Sequence, residues 1–480
     1  MAGLSGALEV AKSGLAITSL GVRTASHNIA NVNTPGYSRQ RQVLAAEFPI
    51  ATGGGFIGAG VRQISVSRAE DPFIQVQLLR NGAQLGASAA QADALGLVEQ
   101  VVGDSSVGGL GATLNAFYDA WSDLAAASAP GAALERSSVR SAASALVDKL
   151  HGLDRQLRDQ MAAVDQQLQG HLPRINDVLQ QIVTLNEEIA RVDASHAAND
   201  LLDERDNLLR ELGGYLDIEI RDGDQGRVDV TLANGVPLLS GSRARTLFAA
   251  PDPSHPIDPR FVRIFTQDGA AATDITPLIG SGTLGGLLGA RDVTLVGALR
   301  ALDEIAYNVA ATVNGLHVTG QGTNGASGDF FSLPAQVADA SRDLALDAAI
   351  LASPDAIAAG TTGLPGDNQL AAQIAGLRSA RLPLHVVGDV PGAPSGPARS
   401  VLDQFSAVIT EIGVQARSAS SNRSQLQNVM ETLENRRDEV AGVSLDEEVT
   451  KLVELQAAFQ ANSRVLSVVA ELLGDLVNVI

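Results

Sequence analysis

The 480-residue sequence contains no cysteine. Thiol catalysis, disulfides, zinc ribbons and iron–sulfur ligation are therefore excluded. Lysine occurs only at Lys12, Lys149 and Lys451, which leaves few candidates for Schiff-base chemistry. Aromatic residues make up 3% of the chain, so large aromatic cores, base-stacking platforms and aromatic-lined ligand pockets are not expected. Met1–Ser26 lacks the basic start and continuous apolar run of a secretory signal. The longest uncharged run, Ile305–Gly328, is broken by Asn308, Thr312, Asn314 and His317 and does not read as a membrane span. A cytosolic protein, or one exported without a cleaved signal, is the expectation.

Against these absences stand ordinary apolar content, 45%, and 48 glycines. Ala, Leu, Val and Ile supply the apolar mass, which suits helix-on-helix packing. The length leaves room for about three domains. Basic residues number 34 and acidic residues 54, a net charge of −20 that argues against binding nucleic acid or anionic membrane.

The two ends carry the clearest pattern. Leu4, Leu8, Ala11, Leu15, Thr18, Val22, Ala25, Ile29 and Val32 alternate steps of four and three, a heptad seam. Thr34-Pro35-Gly36-Tyr37 then fits a type II turn. Near the other end, Leu452, Leu455, Phe459, Asn462, Leu466, Val469, Leu473, Leu476 and Ile480 repeat the alternation. Ser444-Leu445-Asp446-Glu447 predicts a capping box at that helix's start. Matching stripes at both ends favour a coiled coil of the two with each other or with neighbouring subunits. The assembly interface expected from them is Leu4, Leu8, Leu15, Val22 and Ile29 with Leu452, Leu455, Phe459, Asn462, Leu466, Val469, Leu473, Leu476 and Ile480. Thr18 and Asn462, polar at seam positions, are candidates for fixing helix register.

Between the ends, Gln40–Leu44 and Val61–Val66 read as strands around Gly53-Gly54-Gly55-Phe56-Ile57-Gly58. That hexad matches G-x-G-x-x-G, but the strand that follows it argues for a glycine-rich connector and not a nucleotide site. Asp71–Ile189 is mostly helical, with Leu172, Ile175, Leu179, Ile182 and Ile189 on one stripe. Asp200 is expected to cap the next helix, whose acids Asp203, Glu204 and Asp206 read as a solvated start rather than a metal site, with Asp206 facing Arg210. From Tyr215 the period becomes two: Leu216, Ile218 and Ile220 turn at Asp222-Gly223-Asp224 into Val228, Val230 and Leu232. Leu287–Val318 and Val401–Val440 are helical again, and Phe330–Pro397 has no clear period.

The expected fold is mainly α with inserted β, built of terminal helices forming a coiled coil, an elongated helical bundle and an outer β-rich domain. The expected divisions are 1–35, a terminal coiled-coil helix; 36–212, connector strands and bundle; 213–283, the β-rich domain; and 284–328, a return helix. They continue with 329–397, a mixed segment; 398–443, a bundle helix; and 444–480, the second coiled-coil helix. No histidine pairs at zinc-protease spacing, and neither a G-x-S-x-G elbow nor a P-loop is present. No catalytic, cofactor-binding or metal residue is assigned.

Ala25-Ser26-His27-Asn28-Ile29-Ala30-Asn31-Val32-Asn33-Thr34-Pro35-Gly36-Tyr37-Ser38-Arg39-Gln40 resembles the N-terminal signature of the flagellar axial proteins, the rod, hook and hook-associated proteins. Leu445-Asp446-Glu447-Glu448 and the run from Gln456 to Leu466 resemble their C-terminal motif. Three stretches, Ser38-Arg39-Gln40 after the turn, Asn199–Leu212, and Gly285-Gly286-Leu287-Leu288-Gly289-Ala290-Arg291-Asp292 through His317, narrow the resemblance to the hook-associated members at the hook–filament junction. Residues of about 220–280 and 330–395 lie outside it.

The resemblance implies a structural protein, not an enzyme, without cofactor. It would be exported through the flagellar type III apparatus with no signal cleaved, and assembled outside the cell as a ring of its own copies. Implied partners are the hook protein, the second hook–filament junction protein and an export chaperone, with no nucleic acid and no membrane insertion. A hook or distal-rod subunit is the alternative.

Overall fold

A computed structural model of the chain describes residues 2–52, 55–102, 109–128, 132–192, 198–362, 364, 366–389 and 393–479. The protein is mainly α, with β units inserted. The first helix, α1 (Ala2–Ala30), leads into an antiparallel ribbon of β1 (Gln40–Ala46) and β4 (Val61–Arg68). Between them lies a small hairpin of β2 (Ile50–Thr52) and β3 (Gly55–Ile57). The glycine hexad falls in this hairpin, although Gly53 and Gly54 lie outside the described residues.

The bundle begins with α2 (Pro72–Val102), α3 (Leu110–Ala126) and α4 (Ala133–Arg191). The last of these has 59 residues, so it runs for about 90 Å. Its stripe is carried by Leu172, Ile175, Leu179 and Ile182, all buried. Then comes α5 (Asn199–Tyr215), followed by the antiparallel four-stranded meander β5 (Ile218–Asp222), β6 (Val228–Leu232), β7 (Pro237–Ser240) and β8 (Arg243–Ala244). A three-stranded sheet of β9 (Thr246–Pro251), β10 (Val262–Asp268) and β11 (Ala271–Asp274) completes the β-rich unit. Alternating burial along Val228, Val230 and Leu232 is the period of two seen in the sequence.

Helix α6 (Gly282–Gly289) passes through a wider, π-helical turn at Ala290–Leu295 into α7 (Val296–His317). That turn buries Arg291, which donates to Asp165 of α4 and to the Val262 carbonyl, joining helix and sheet. The segment without period consists of short pieces: β12 (Phe331–Ser332), α8 (Ala340–Asp343), β13 (Ala345–Leu346), α9 (Ala348–Ala352), α10 (Gln369–Gly376), β14 (Leu382–Pro383) and β15 (Ala398–Arg399). Two long helices close the chain, α11 (Val401–Ala441) against α2, and α12 (Leu445–Val479) against α1.

One expectation fails. Aromatic residues are scarce, yet they do build a core, because they are gathered in one place. Phe117 and Trp121 of α3 meet Phe330, Phe331 and His317 where α3, α7 and the chain before β12 converge. Ring centroids lie 4.8 Å apart for Phe330–Phe331, 5.3 Å for Trp121–Phe330 and 6.4 Å for Phe117–Trp121. Edge-on and tilted pairs like these add to the apolar area they bury.

His317 ties the irregular segment to this core. Its Nδ1 is 2.7 Å from the Gly328 carbonyl, and its Nε2 accepts from the Ala358 N–H at 2.9 Å. The second bond requires an unprotonated Nε2, and burial holds the imidazole below its ordinary value. A group that stays neutral when folded supplies stability above its unfolded pKa of about 6.5, and loses it as pH falls below that. Asp303 opposes this: burial pushes its carboxyl up to about 6, so its contribution grows as pH falls. The two are separated by substitution. Between pH 6.5 and 5, the parent protein should lose stability relative to His317→Gln, measured by chemical denaturation at each pH; parallel curves would contradict the assignment.

Candidate functional site at the terminal helices

The terminal helices pack against each other. Glycines show how. A side chain at Gly14 would meet Asn462 at 2.8 Å, and one at Gly21 would meet Leu455 at 2.9 Å. Seven residues forward on α1 is thus seven residues back on α12, so the pair is antiparallel in heptad register. The buried line of α1 is Ala11, Thr18, Ala25 and Asn28, with Gly14 and Gly21 between them, a seam of small residues. It admits larger groups from the partner helix.

The expected interface residues divide accordingly. Leu4, Leu8, Leu15, Val22 and Ile29 are half-buried beside the seam. On α12, Val469 is buried, and Leu452, Leu455, Asn462, Leu466 and Leu473 are half-buried, while Phe459 is exposed. The Leu476 side chain and Ile480 lie outside the described residues. Thr18 turns its hydroxyl to its own helix, donating to the Gly14 and Leu15 carbonyls at 2.9 and 3.0 Å. Asn462 fills the space that Gly14 leaves open.

At one end this coiled coil is gripped by a collar. Asn28, buried at the end of α1, accepts from the Gln40 N–H at 2.9 Å and donates to the Gln40 carbonyl at 3.0 Å, so its amide pairs with β1 as a strand would. Its oxygen also accepts from the Tyr37 hydroxyl at 2.8 Å, and His27 Nδ1 lies 3.0 Å from the same hydroxyl. Burial, together with the charges of Asp200, Asp203 and Glu448, raises the pKa of Tyr37 and keeps that hydroxyl protonated as a donor. Asn31 Nδ2 bonds back to the His27 carbonyl at 3.1 Å, and Thr34 Oγ1 donates to Asn31 Oδ1 at 3.1 Å. The turn closes through Tyr37 N–H to the Thr34 carbonyl at 3.2 Å with Gly36 at φ +80°, the type II geometry read from the sequence.

The turn is held by segments far away in the chain. Asp203 of α5, 165 positions on, accepts from the Ser38 N–H at 2.8 Å. Arg68 of β4 reaches Asp203 at 3.0 Å, Asp206 at 2.7 Å and Glu70 at 2.5 Å. Burial raises the Asp203 pKa, against the opposing pull of Ser38 and Arg68. Arg39 donates to Glu448 at 2.6 Å and Glu447 at 2.5 Å, and its N–H to the Ala441 carbonyl at 2.7 Å, which pins the link between α11 and α12. Burial works against the Arg39 charge, but the bonds and attraction of Glu447 and Glu448 outweigh it and raise its pKa. Glu448 is almost wholly buried, so Arg39 is the partner that makes its burial tolerable.

Three local expectations change here. The first turn of α5 is not capped by Asp200; the flanking residue is Ala198, and the Asp200 carboxylate instead accepts from Gln40 at 2.7 Å and lies 3.5 Å from His27. Of the α5 acids Glu204 is exposed as expected, but Asp203 is buried and Asp206 pairs with Arg68, not Arg210. Glu447 turns to Arg39 rather than back to its own helix start. In each case a distant arginine or amide wins over local solvent. The signal available in the sequence was the spacing of Asp200, Asp203 and Asp206, three residues apart on neighbouring positions of one helix face.

Beside the collar lies an open polar groove of about 620 Å³ lined by Pro35, Arg39, Arg437 and Val443 among others, too exposed to enclose a small molecule. Among the described residues no cluster of three or more His, Cys, Asp or Glu is placed to hold a metal ion. No helix among them is long and apolar enough to cross a membrane.

The collar therefore joins the N-terminal turn, the start of α5 and the start of α12, the stretches whose residues resemble flagellar axial proteins. Comparison with known families agrees. The model for the flagellar hook-associated protein FlgK helical domain matches residues 95–331. That for flagella basal body rod protein matches 8–37, and that for the flagellar basal body rod FlgEFG protein C-terminal region matches 435–479. Flagellar hook-associated protein 1 of Salmonella typhimurium is 28% identical, the alignment covering 99% of this chain and 100% of the relative. The chain belongs to the flagellar hook-associated protein 1 family. Members of that name in Escherichia coli and Bacillus subtilis are 27% and 25% identical over 99% and 98% of this chain. The solved structure of the flagellar hook junction protein FlgK from Burkholderia pseudomallei shares the fold, with a TM-score of 0.65 over 76% of this chain and 100% of that one, at 15% identity. The chain is thus a structural component of the flagellum, with a helical bundle and a β-rich unit between its axial ends.

Proposed function

We propose that copies of this chain assemble as a ring on the end of the hook and join it to the filament. The observation that carries the reading is the terminal pair: an antiparallel coiled coil fixed by a collar, with apolar residues left outward. Leu445, Val449, Val453, Val465, Val468 and Leu472 of α12 are each about half exposed, more than a two-helix pair is able to cover by itself. Neighbouring copies supply that cover, through the interface expected of both terminal helices. The hook protein on one side and the second hook–filament junction protein on the other are the expected partners. Export runs through the flagellar type III apparatus with a dedicated chaperone, to a place outside the cell. A chain without cysteine suits that route, since no disulfide has to form or break.

The rod-type matches at both ends belong equally to a hook or distal-rod subunit, which is the second reading. Electron microscopy of a deletion strain separates the two. Loss of a junction protein leaves complete hooks without filaments and flagellin shed into the medium. Hookless basal bodies would show the second reading to be correct, and normal filaments would contradict both.

A further inference from the structure

The β1–β4 ribbon lies along α1. Asn28 holds Gln40 at the collar, Gln42 donates to the Ile17 carbonyl at 3.4 Å, and Ser13 accepts from the Val61 N–H at 3.3 Å. Ribbon and helix therefore run side by side toward the free end of the coiled coil. From Gly60, beside Ser13, to Phe56 is four residues, a reach of up to about 13 Å through the irregular Gly58–Gly60 link. The same distance along α1 is roughly nine residues, so the hairpin is within reach of the level of Leu4. By the heptad register, Leu4 and Ala11 stand opposite α12 near Leu472 and Val465.

Two unpartnered features thus lie within reach of one level. The hairpin is apolar on both faces: Ile50 pairs across the strands with Ile57 on one, and Phe56 stands on the other. Phe48 is 75% exposed and Phe56 77%. A two-stranded hairpin of this size is marginal in water alone. On α12, Val465, Val468 and Leu472 follow steps of three and four, a second stripe beside the one that α1 covers.

Their charges are complementary. The first 70 residues hold six basic and three acidic side chains, in a chain that is −20 overall, whereas α12 holds six acidic and two basic. Arg41 and Arg62, exposed on the ribbon, have no ion pair among the described residues, and Arg62 rests over the Phe48 ring at 5.3 Å. Glu471 and Asp475, exposed beside the second stripe, have none either.

We infer that the hairpin of one copy packs onto the second stripe of α12 in the adjacent copy, with Phe56 and Ile57 on Val465, Val468 and Leu472 and the ribbon arginines facing Glu471 and Asp475. Copies related by rotation about an axis along the coiled coil keep the same level, so both features meet without any change of shape. This rests on the ring of copies proposed above. Charge pairing here sets which copy face meets which, while the apolar contact supplies the adhesion.

The absence of cysteine makes the test clean. In the deletion strain, two differently tagged chains are co-expressed, one with Phe56→Cys and the other with Leu472→Cys. Mild oxidation of isolated hook–filament particles should link the tags in one band that neither chain alone gives. Arg62→Glu in the first chain should weaken the band several-fold, and Glu471→Arg in the second should restore it. Both substituted sites are surface positions, and Ile57→Cys with Val468→Cys repeats the test. If both chains are found on hook ends and neither pair links, the inference is overturned and the junction reading stands. If no chain is found on hook ends in a filament-bearing strain, both fall.

Discussion

Gly36→Val will loosen both terminal helices while leaving the bundle intact. Gly36 sits at φ +80°, where a side chain costs about 1–2 kcal/mol, more for a branched one. A Cβ there would also lie 1.9 Å from Asn207 Oδ1, so the Asn207 side chain must swing away, giving up its bond to the Pro35 carbonyl, or the turn must open. Opening the turn draws Ser38 from Asp203 and Arg39 from Glu448. The total, about 3 kcal/mol, falls on the collar alone. Hydrogen exchange should report it as amides of Asn28–Gln40 and the first turns of α12 opening about a hundredfold more often, with the α4 amides unchanged. Unaltered exchange at Ser38 and Gln40 would show that the collar does not depend on this turn.

Trp121→Ala should have the larger global effect. Trp121 is fully buried, at the centre of the aromatic cluster that α3, α7 and the irregular segment build together. Truncating a buried tryptophan costs about 3–5 kcal/mol, because the space left behind is only partly refilled. Here the surrounding rings, Phe117, Phe330 and Phe331, are themselves fully buried and held by backbone on several sides, so collapse is limited. Phe330 and Phe331 are further fixed by Asn314, whose Oδ1 accepts both of their N–H groups at 3.0 and 2.9 Å. Urea denaturation followed by circular dichroism measures the loss. A change below about 1 kcal/mol would mean that the cluster repacks freely and is not the core it looks to be.

The legible parts of the sequence were those with local causes. Heptad spacing marked α1 and α12, the period of two marked β5 and β6, and the turn at Pro35-Gly36 follows from the conformations these two residues prefer. Of the seam expected on α1, Ala11, Thr18 and Ala25 form the buried line, while Leu4, Leu8, Leu15, Val22 and Ile29 flank it half-buried. What the spacing did not mark is that Gly14 and Gly21 complete the contact line between them, since small residues permit the closer approach. Hydrophobic size alone does not reveal that choice, which depends on the partner's side chains.

The collar was not legible as a unit. The turn, Asp203 and Glu448 carry sequence signals of their own while Arg68 carries none, but Ser38, Arg68, Asp203 and Glu448 are separated by up to about 400 positions, and nothing local says that Asp203 faces an N–H rather than water. The same holds for the aromatic cluster. Composition counted few rings; only the fold could show that most of the bulky ones in the bundle share one site. The segment 329–397 lacked a period because its elements are two to eight residues long, too short for either repeat to show.

That the terminal coiled coil is what makes this chain a junction subunit is tested most directly by removing half of it. A deletion strain carrying the chain without residues 445–480 should export a protein whose bundle is folded, with the buried emission of its single tryptophan, Trp121, unchanged. Its hooks, seen by electron microscopy, should be complete but bare, with flagellin in the medium. Filaments of normal number and length on those hooks would contradict the account.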